Sequence, residues 1–228
     1  MDVEFKKMLE SKRCFIFDLD GTIADTEKIQ WEAHNAILKK EYGIEVDLNH
    51  ILNYLGKPES IFLPEIEKDY NIDIGGKNKK GYLKYIKKRN KLAEKMILSN
   101  SQPFPFMKEI LDDTFGIQIV LISAQNRALI RKCLSYWGLA GTFQESNTFV
   151  VEDDKTKPYY YDYVMNNVLK NAKPSEIILF EDVNKYLDEG NKRGFVTVGI
   201  KNSFTNGEIH ANYVIDSTKH ELTIEKQN

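Results

Sequence analysis

The chain has 228 residues, of which 42% are hydrophobic and 29% charged, with only 13 Gly and 6 Pro. That composition excludes a disordered, collagen-like or low-complexity protein and leaves room for one large buried core carrying a sizeable insertion. A formal net charge of −2 excludes a whole-molecule field that would favour nucleic acid, so any charged ligand must be met by a local site. Two cysteines, Cys14 and Cys133, lie in apolar surroundings and read as buried thiols of a reducing compartment. No apolar stretch reaches the roughly 18 residues that a membrane span needs, and the segment from Met1 to Arg13 is charged along its length. The expectation is a cytoplasmic, unprocessed chain with no membrane partner.

In chain order, Cys14-Phe15-Ile16-Phe17 is a short apolar run that stops at Asp18, the pattern of a fully buried parallel strand ending in an acidic turn. About ninety residues then follow with no comparable strand, their apolar positions recurring at helical spacing. Ile29, Ala33, Ala36 and Ile37 make one stripe after Thr26, a candidate N-cap, and Gly43 marks its end. Tyr82, Tyr85, Ile86, Arg89, Leu92, Met96 and Ile97 trace another. Gly75-Gly76 divides this region, and Pro103 and Pro105 mark the return to strand and helix alternation. Ile117 to Ile122 runs into Ser123, Ile177 to Phe180 runs into Glu181-Asp182, and Phe195 to Ile200 closes near Lys201. The fold class is therefore α/β, a doubly wound, Rossmann-like parallel sheet core with an inserted all-helical domain. Its expected boundaries are 1–22 and 104–228 for the core and 23–103 for the insertion.

In such sheets ligands collect beyond the carboxyl ends of the strands, and here those ends carry Asp, Ser and Glu-Asp. Asp18 and Asp20 stand two apart, which on an extended chain puts both carboxylates on one side. Holding them together is electrostatically expensive unless a cation compensates, and hard Mg²⁺ takes a few carboxylate and carbonyl oxygens plus waters and phosphate. Gly21 permits a sharp turn just beyond them. The competing reading is an ordinary acidic turn. A calcium loop is excluded, because it would need Gly at Ile23 and a bidentate Glu at Ile29. Taken singly, Ser123 reads as a helix cap, Lys157 as part of the charged loop Asp153-Asp154-Lys155-Thr156-Lys157, and Glu181-Asp182 as charges favouring a helix dipole.

Taken together, Asp18-Leu19-Asp20-Gly21-Thr22, Ser123, Lys157-Pro158 and Glu181-Asp182 resemble the four ordered motifs of the haloacid dehalogenase (HAD) superfamily, over most of the chain. Gly138-Leu139 and Gly194 resemble it too. Asp25-Thr26 and the insertion that follows resemble members with a helical cap, of the phosphatase and β-phosphoglucomutase-like kind. The resemblance implies that Asp18 attacks phosphorus to form an aspartyl phosphate and that Asp20 acts as general acid and base. It implies that Ser123, the backbone N–H groups near Ala124, and Lys157 bind phosphoryl oxygens, with the Lys-Pro pair favouring Lys157 over its rival Lys155. Mg²⁺ would be held by Asp18, Asp20 and Asp182, with Glu181 beside it or one layer behind. The chain departs from the family at Val183, where many relatives have Ser, and at Tyr186 and Phe106, where many have Gly.

The leading expectation is a Mg²⁺-dependent phosphatase acting on a small phosphorylated metabolite. A β-phosphoglucomutase-like isomerase is the nearest alternative. Such mutases tend to carry His where Gln30 stands, and Arg three residues past a cap glycine, where Glu59 follows Gly56. A phospho-aspartate signalling domain is the alternative from another class, and the large insertion argues against it. A dehalogenase would not need Asp20. Within the insertion Lys77, Lys79, Lys80, Lys84, Lys87, Lys88, Arg89, Lys91 and Lys95 are opposed only by Glu94. They read as a solvated face that a cap could also turn toward an anionic substrate, and no nucleic-acid partner is expected. Neither the natural substrate nor the oligomeric state is written in this pattern.

Overall fold

The computed structural model describes residues 2–47, 50, 59–75, 79–112, 114, 116–151, 155–170, 172–205, 207–219 and 222–227. The chain divides into two units, Met1–Asp25 with Gln102–Asn228, and Thr26–Ser101.

The first unit is built on a sheet in the order β3-β2-β1-β4-β5-β6-β7. The strands are β1 (Cys14–Phe17), β2 (Gln118–Ser123), β3 (Thr148–Val150), β4 (Ile177–Glu181), β5 (Val196–Lys201), β6 (Tyr213–Asp216) and β7 (Ile224–Lys226). All neighbours are parallel except β6 and β7. The four apolar runs read from the sequence are β1, β2, β4 and β5, the central strands of the sheet. Burial on both faces is what made them continuous apolar runs. β3, β6 and β7 went unanticipated because three or four residues at the margin of a sheet carry too short a pattern to separate from a loop.

The two faces follow from the strand period of two. Cys14 and Ile16 of β1 and Ile177 and Leu179 of β4 point to one face, where they pack with Val120, Ile122, Tyr160, Tyr161, Val164 and Phe195. Phe15, Phe17 and Phe180 point to the other, where Phe17 stacks on Phe180 with ring centroids 4.4 Å apart. Helices α1 (Val3–Glu10), α5 (Pro105–Asp112), α6 (Arg127–Tyr136), α7 (Lys157–Tyr163) and α8 (Asn184–Arg193) belong to this unit. Of the α7 tyrosines, Tyr160 and Tyr161 pack on the sheet, whereas Tyr159 and Tyr163 are exposed.

The second unit contains α2 (Thr26–Tyr42), α3 (Glu59–Tyr70) and α4 (Lys79–Asn100) and, among the described residues, no strand. Helix α2 starts at Thr26 itself and ends where Gly43 turns to φ +71°. Its buried stripe holds Ile29, Ala33 and Ile37 as expected and widens through Trp31, His34 and Leu38, leaving Ala36 exposed just beyond its opposite edge. Helix α3 was not foreseen. Pro64 lies inside it and breaks the helical reading, although Phe62, Leu63 and Ile66 are buried there. On α4, Tyr85, Ala93 and Ile97 are buried, whereas Lys80, Lys84, Lys87, Lys88, Lys91 and Lys95 are exposed. Gly56, Gly76 and Lys77, and the side chains of Glu59 and Lys79, lie outside the described residues.

Candidate active site

The register of β1 and β4 sets the site. Phe17 is opposite Phe180, so the next pair along the ladder is Asp18 and Glu181, and the Asp18 amide donates to the Phe180 carbonyl at 3.1 Å. By the same period of two, Asp18 continues the Cys14–Ile16 face and Glu181 continues the Ile177–Leu179 face. Both carboxylates therefore emerge on the side that α7 covers, and the first residue of α7 meets them. Lys157 Nζ lies 2.8 Å from Asp18 Oδ1 and 2.6 Å from Glu181 Oε2. Thr156 stands at the N-cap of α7 and Pro158 follows in its first turn, where a missing N–H costs nothing. Lys157, not Lys155, is thus the lysine brought to the strand ends, and its side chain is only 5% exposed rather than part of a solvated loop.

The electrostatics follow from one cation shared by two carboxylates away from water. Burial works against the Lys157 charge, but Asp18 and Glu181 outweigh it and hold the ammonium well above its ordinary pKa. At Glu181 burial dominates and pushes the carboxyl well up, against the pull of Lys157. The two directions agree: with two negative groups around one positive group, Lys157 and Glu181 each hold a proton more tightly than they would alone. Both Glu181 oxygens are engaged, Oε2 by Lys157 and Oε1 by the amides of Asp182 and Val183 at 3.2 and 3.3 Å. Tyr186 lays its ring 4.4 Å from Lys157 Nζ, a cation–π contact that gives a physical place to a residue departing from the family pattern.

After Asp18 the chain turns. Gly21 takes φ +78°, its amide donates to Ala24 O at 2.8 Å, and the turn brings Thr22 Oγ1 to 3.3 Å from Asp182 Oδ1. On the opposite side Asn202, at the end of β5, donates from Nδ2 to Gly21 O at 3.1 Å and to Asp182 Oδ2 at 2.8 Å. Asn202 and Tyr186 are the neighbours that the sequence reading missed. The signal for Asn202 was available, since it is one more polar residue where an apolar run ends.

Among the described residues, Asp18, Glu181 and Asp182 each offer a carboxylate oxygen within 4.8 Å of the others. Asp20 is half-buried in the turn and is not gathered with those three. Ser123 is fully buried at the end of β2, where its hydroxyl accepts from the Gln125 amide at 3.0 Å. It does not cap the following helix, because Asn126 does so by accepting from the Leu129 amide at 2.9 Å. Ala124, next in the chain, is exposed. An all-oxygen donor set of carboxylates fits a hard divalent cation. Asp18 and Asp182 fit that task better than Glu181, because both keep some exposure at the strand ends whereas Glu181 is fully buried behind its contacts with Lys157 and two amides.

A doubly wound sheet that gathers three carboxylates and a buried lysine at the carboxyl ends of its strands is the build of an α/β enzyme with its ligand site at that edge. The chain belongs to the haloacid dehalogenase-like hydrolases, whose family model matches residues 15–200. An uncharacterized protein of Haemophilus influenzae is 25% identical over 181 residues, covering 78% of this chain and 86% of that one. In fold the chain is similar to CbbY from Rhodobacter sphaeroides, solved in complex with phosphate, with TM-score 0.69 and 14% identity over 90% of this chain and 93% of that one. It is also similar to a HAD family hydrolase of Deinococcus radiodurans, solved with bound phosphate and sodium, with TM-score 0.64 and 18% identity over 83% and 81% of the two chains. No helix among the described residues is long and apolar enough to cross a membrane.

Proposed function

We propose that this protein is a Mg²⁺-dependent phosphatase that hydrolyses a small phosphate ester through an aspartyl phosphate on Asp18, with Thr26–Ser101 serving as its cap. The observation that carries the reading is the buried Asp18 carboxylate at the end of β1, 2.8 Å from Lys157 and clustered with Asp182. Lys157 holds the Asp18 carboxylate in place by a 2.8 Å ion pair, and stands where it can neutralise charge spread over a transferring phosphoryl group. Glu181 anchors Lys157 from behind at 2.6 Å, so that its ammonium is positioned before substrate arrives. Ser123 and the Ala124 backbone, at the neighbouring strand end, bind phosphoryl oxygens. Asp20, on the turn after Asp18, passes a proton to the leaving alcohol and later takes one from water. Asp18 and Asp182, with Glu181 beside them, would hold Mg²⁺, which would supply charge neutralisation at the phosphoryl oxygens. The family's phosphate-bound relatives support phosphate as the ligand chemistry.

The test measures phosphate release and isomerised product in parallel across phosphorylated sugars, nucleotides and cofactors, with Mg²⁺ and with EDTA. Hydrolysis that stops in EDTA and in Asp18→Asn supports the reading. Isomerised product without phosphate release would replace it with a β-phosphoglucomutase-like mutase. A long-lived Asp18 adduct that changes binding to another protein would replace it with a signalling domain. Unchanged turnover in Asp18→Asn would remove Asp18 as nucleophile.

A further inference from the structure

We propose that Asn202 is a positioning residue of the acidic centre, fixing the Asp182 carboxylate against the Gly21 turn and thereby setting the affinity of the centre for a divalent cation. The proposal rests on the reading of Asp182 as a cation-holding residue. Asn202 is buried at the end of β5, and its side-chain orientation is determined by its surroundings. Its Oδ1 accepts from the Phe204 amide at 2.9 Å and from Thr205 Oγ1 at 3.3 Å. Because an amide N–H can only donate, the oxygen must face Phe204, and the NH₂ group is directed at the Gly21 carbonyl and Asp182 Oδ2. The loop beyond it is closed on itself, with Asn202 N donating to Thr205 Oγ1 at 2.9 Å and Thr205 N donating to Asn202 O at 3.2 Å.

Asp182 thereby accepts a side-chain hydrogen bond on each carboxylate oxygen, Oδ1 from Thr22 and Oδ2 from Asn202. Two donors on opposite oxygens limit rotation of the carboxylate, so binding a cation has less freedom left to remove. The amide also offers positive dipole ends to a carboxylate that must sit near the like charge of Asp18. The close approach is built into the backbone, since a Cβ at Gly21 would stand 2.7 Å from Asn202 Nδ2. Asparagine meets all these demands at once, with two donors and one acceptor on a short, neutral side chain. Asp would add a further negative charge against Asp182, and Ser has too few donors to reach both targets. Asn202 touches no reacting atom, so its effect is exerted through Asp182.

The experiment is calorimetric titration of Mg²⁺, and separately Mn²⁺, into the full chain and into Asn202→Ala and Asn202→Leu, with thermal melting in EDTA to confirm that each variant is folded. The leucine variant retains side-chain volume, so that a fold lost to a cavity in the alanine variant does not end the comparison. The expected result is a cation Kd raised about 10- to 100-fold in a folded variant, with turnover recovering at saturating Mg²⁺. A purely structural lesion would leave Kd in place and would not be rescued by the ion. Wild-type binding with an unchanged Kd in the folded variants overturns the role of Asn202 and leaves the phosphatase reading intact. Absence of Mg²⁺ and Mn²⁺ binding in the wild type overturns the cation centre itself, and this proposal with it.

Discussion

Gly21→Ala separates two demands that the turn after Asp18 makes on one residue. The first is conformational: Gly21 has φ +78°, and an L side chain in that region costs roughly 1–2 kcal/mol. For a chain of this size that corresponds to a melting point lower by roughly 2–8 °C. The second is steric: the new Cβ would stand 2.7 Å from Asn202 Nδ2 and 2.9 Å from Asp182 Cγ. Asp182 Oδ2 stands closer still, and ordinary heavy-atom contact needs about 3.5 Å, so the Asn202–Asp182 pair must move by about 1 Å or slightly more. Both groups are tied down by further hydrogen bonds and have little room to comply. A displacement of that order at a reacting centre lowers turnover by about 10²-fold. Gly138→Ala is the control, because Gly138 has φ +72° in the same unit but its Cβ would meet nothing within 4 Å. The assay is thermal melting together with Mg²⁺-dependent phosphate release from p-nitrophenyl phosphate. Both variants should melt lower, and only Gly21→Ala should lose activity. Equal activity in the two would show that the contact of Gly21 with Asp182 and Asn202 does not matter to the chemistry.

Lys157→Met strands Asp18 and Glu181 without their shared cation, and urea denaturation should register a loss of about 3–5 kcal/mol, part of it recovered by adding Glu181→Gln. A loss below about 1 kcal/mol would show that the buried pair is not held as described. His34, buried against Trp31, Phe62 and Tyr85, has its pKa pushed down to about 3 by burial and, secondarily, by Arg89. The unfolded chain takes up that proton near the ordinary value of about 6.5, so between those limits acid favours unfolding. His34→Gln should therefore flatten the fall in stability below pH 6.5, by at most about 3 kcal/mol at pH 4.5, and an identical pH profile would refute the buried neutral ring. Tyr161→Phe should leave stability unchanged or raised, because the Tyr161 hydroxyl is buried without a hydrogen-bond partner among the described residues. A loss above about 1 kcal/mol in urea would show that the hydroxyl is satisfied.

The central sheet was legible because β1, β2, β4 and β5 are buried on both faces and so write uninterrupted apolar runs ending in polar residues. The same rule found Asp18, Ser123 and Glu181-Asp182, since each stands where such a run stops. Lys157 was legible only through family likeness, because nothing local in a charged loop announces that one lysine is buried. Its burial comes from Asp18 and Glu181, which lie far away in sequence. The likeness set Glu181 beside the ion or one layer behind it, but that Glu181 carries Lys157 was hidden, since a contact across the sheet edge is not written beside either residue. Pro64 and the brevity of β3 concealed elements that tertiary packing nonetheless stabilises.

The alignment of Phe17 with Phe180 has a consequence for how this protein tolerates change. Chemistry and packing are written in the same phase along β1 and β4, so deleting or inserting one residue in either strand would swing its acidic end away from Lys157 while turning its aromatic rings into the wrong half of the interior. Such a lesion could not damage catalysis alone. The aromatic stack thus acts as an index mark for the acidic ends, and a chain that has folded its centre in correct alignment has already brought Asp18 and Glu181 side by side.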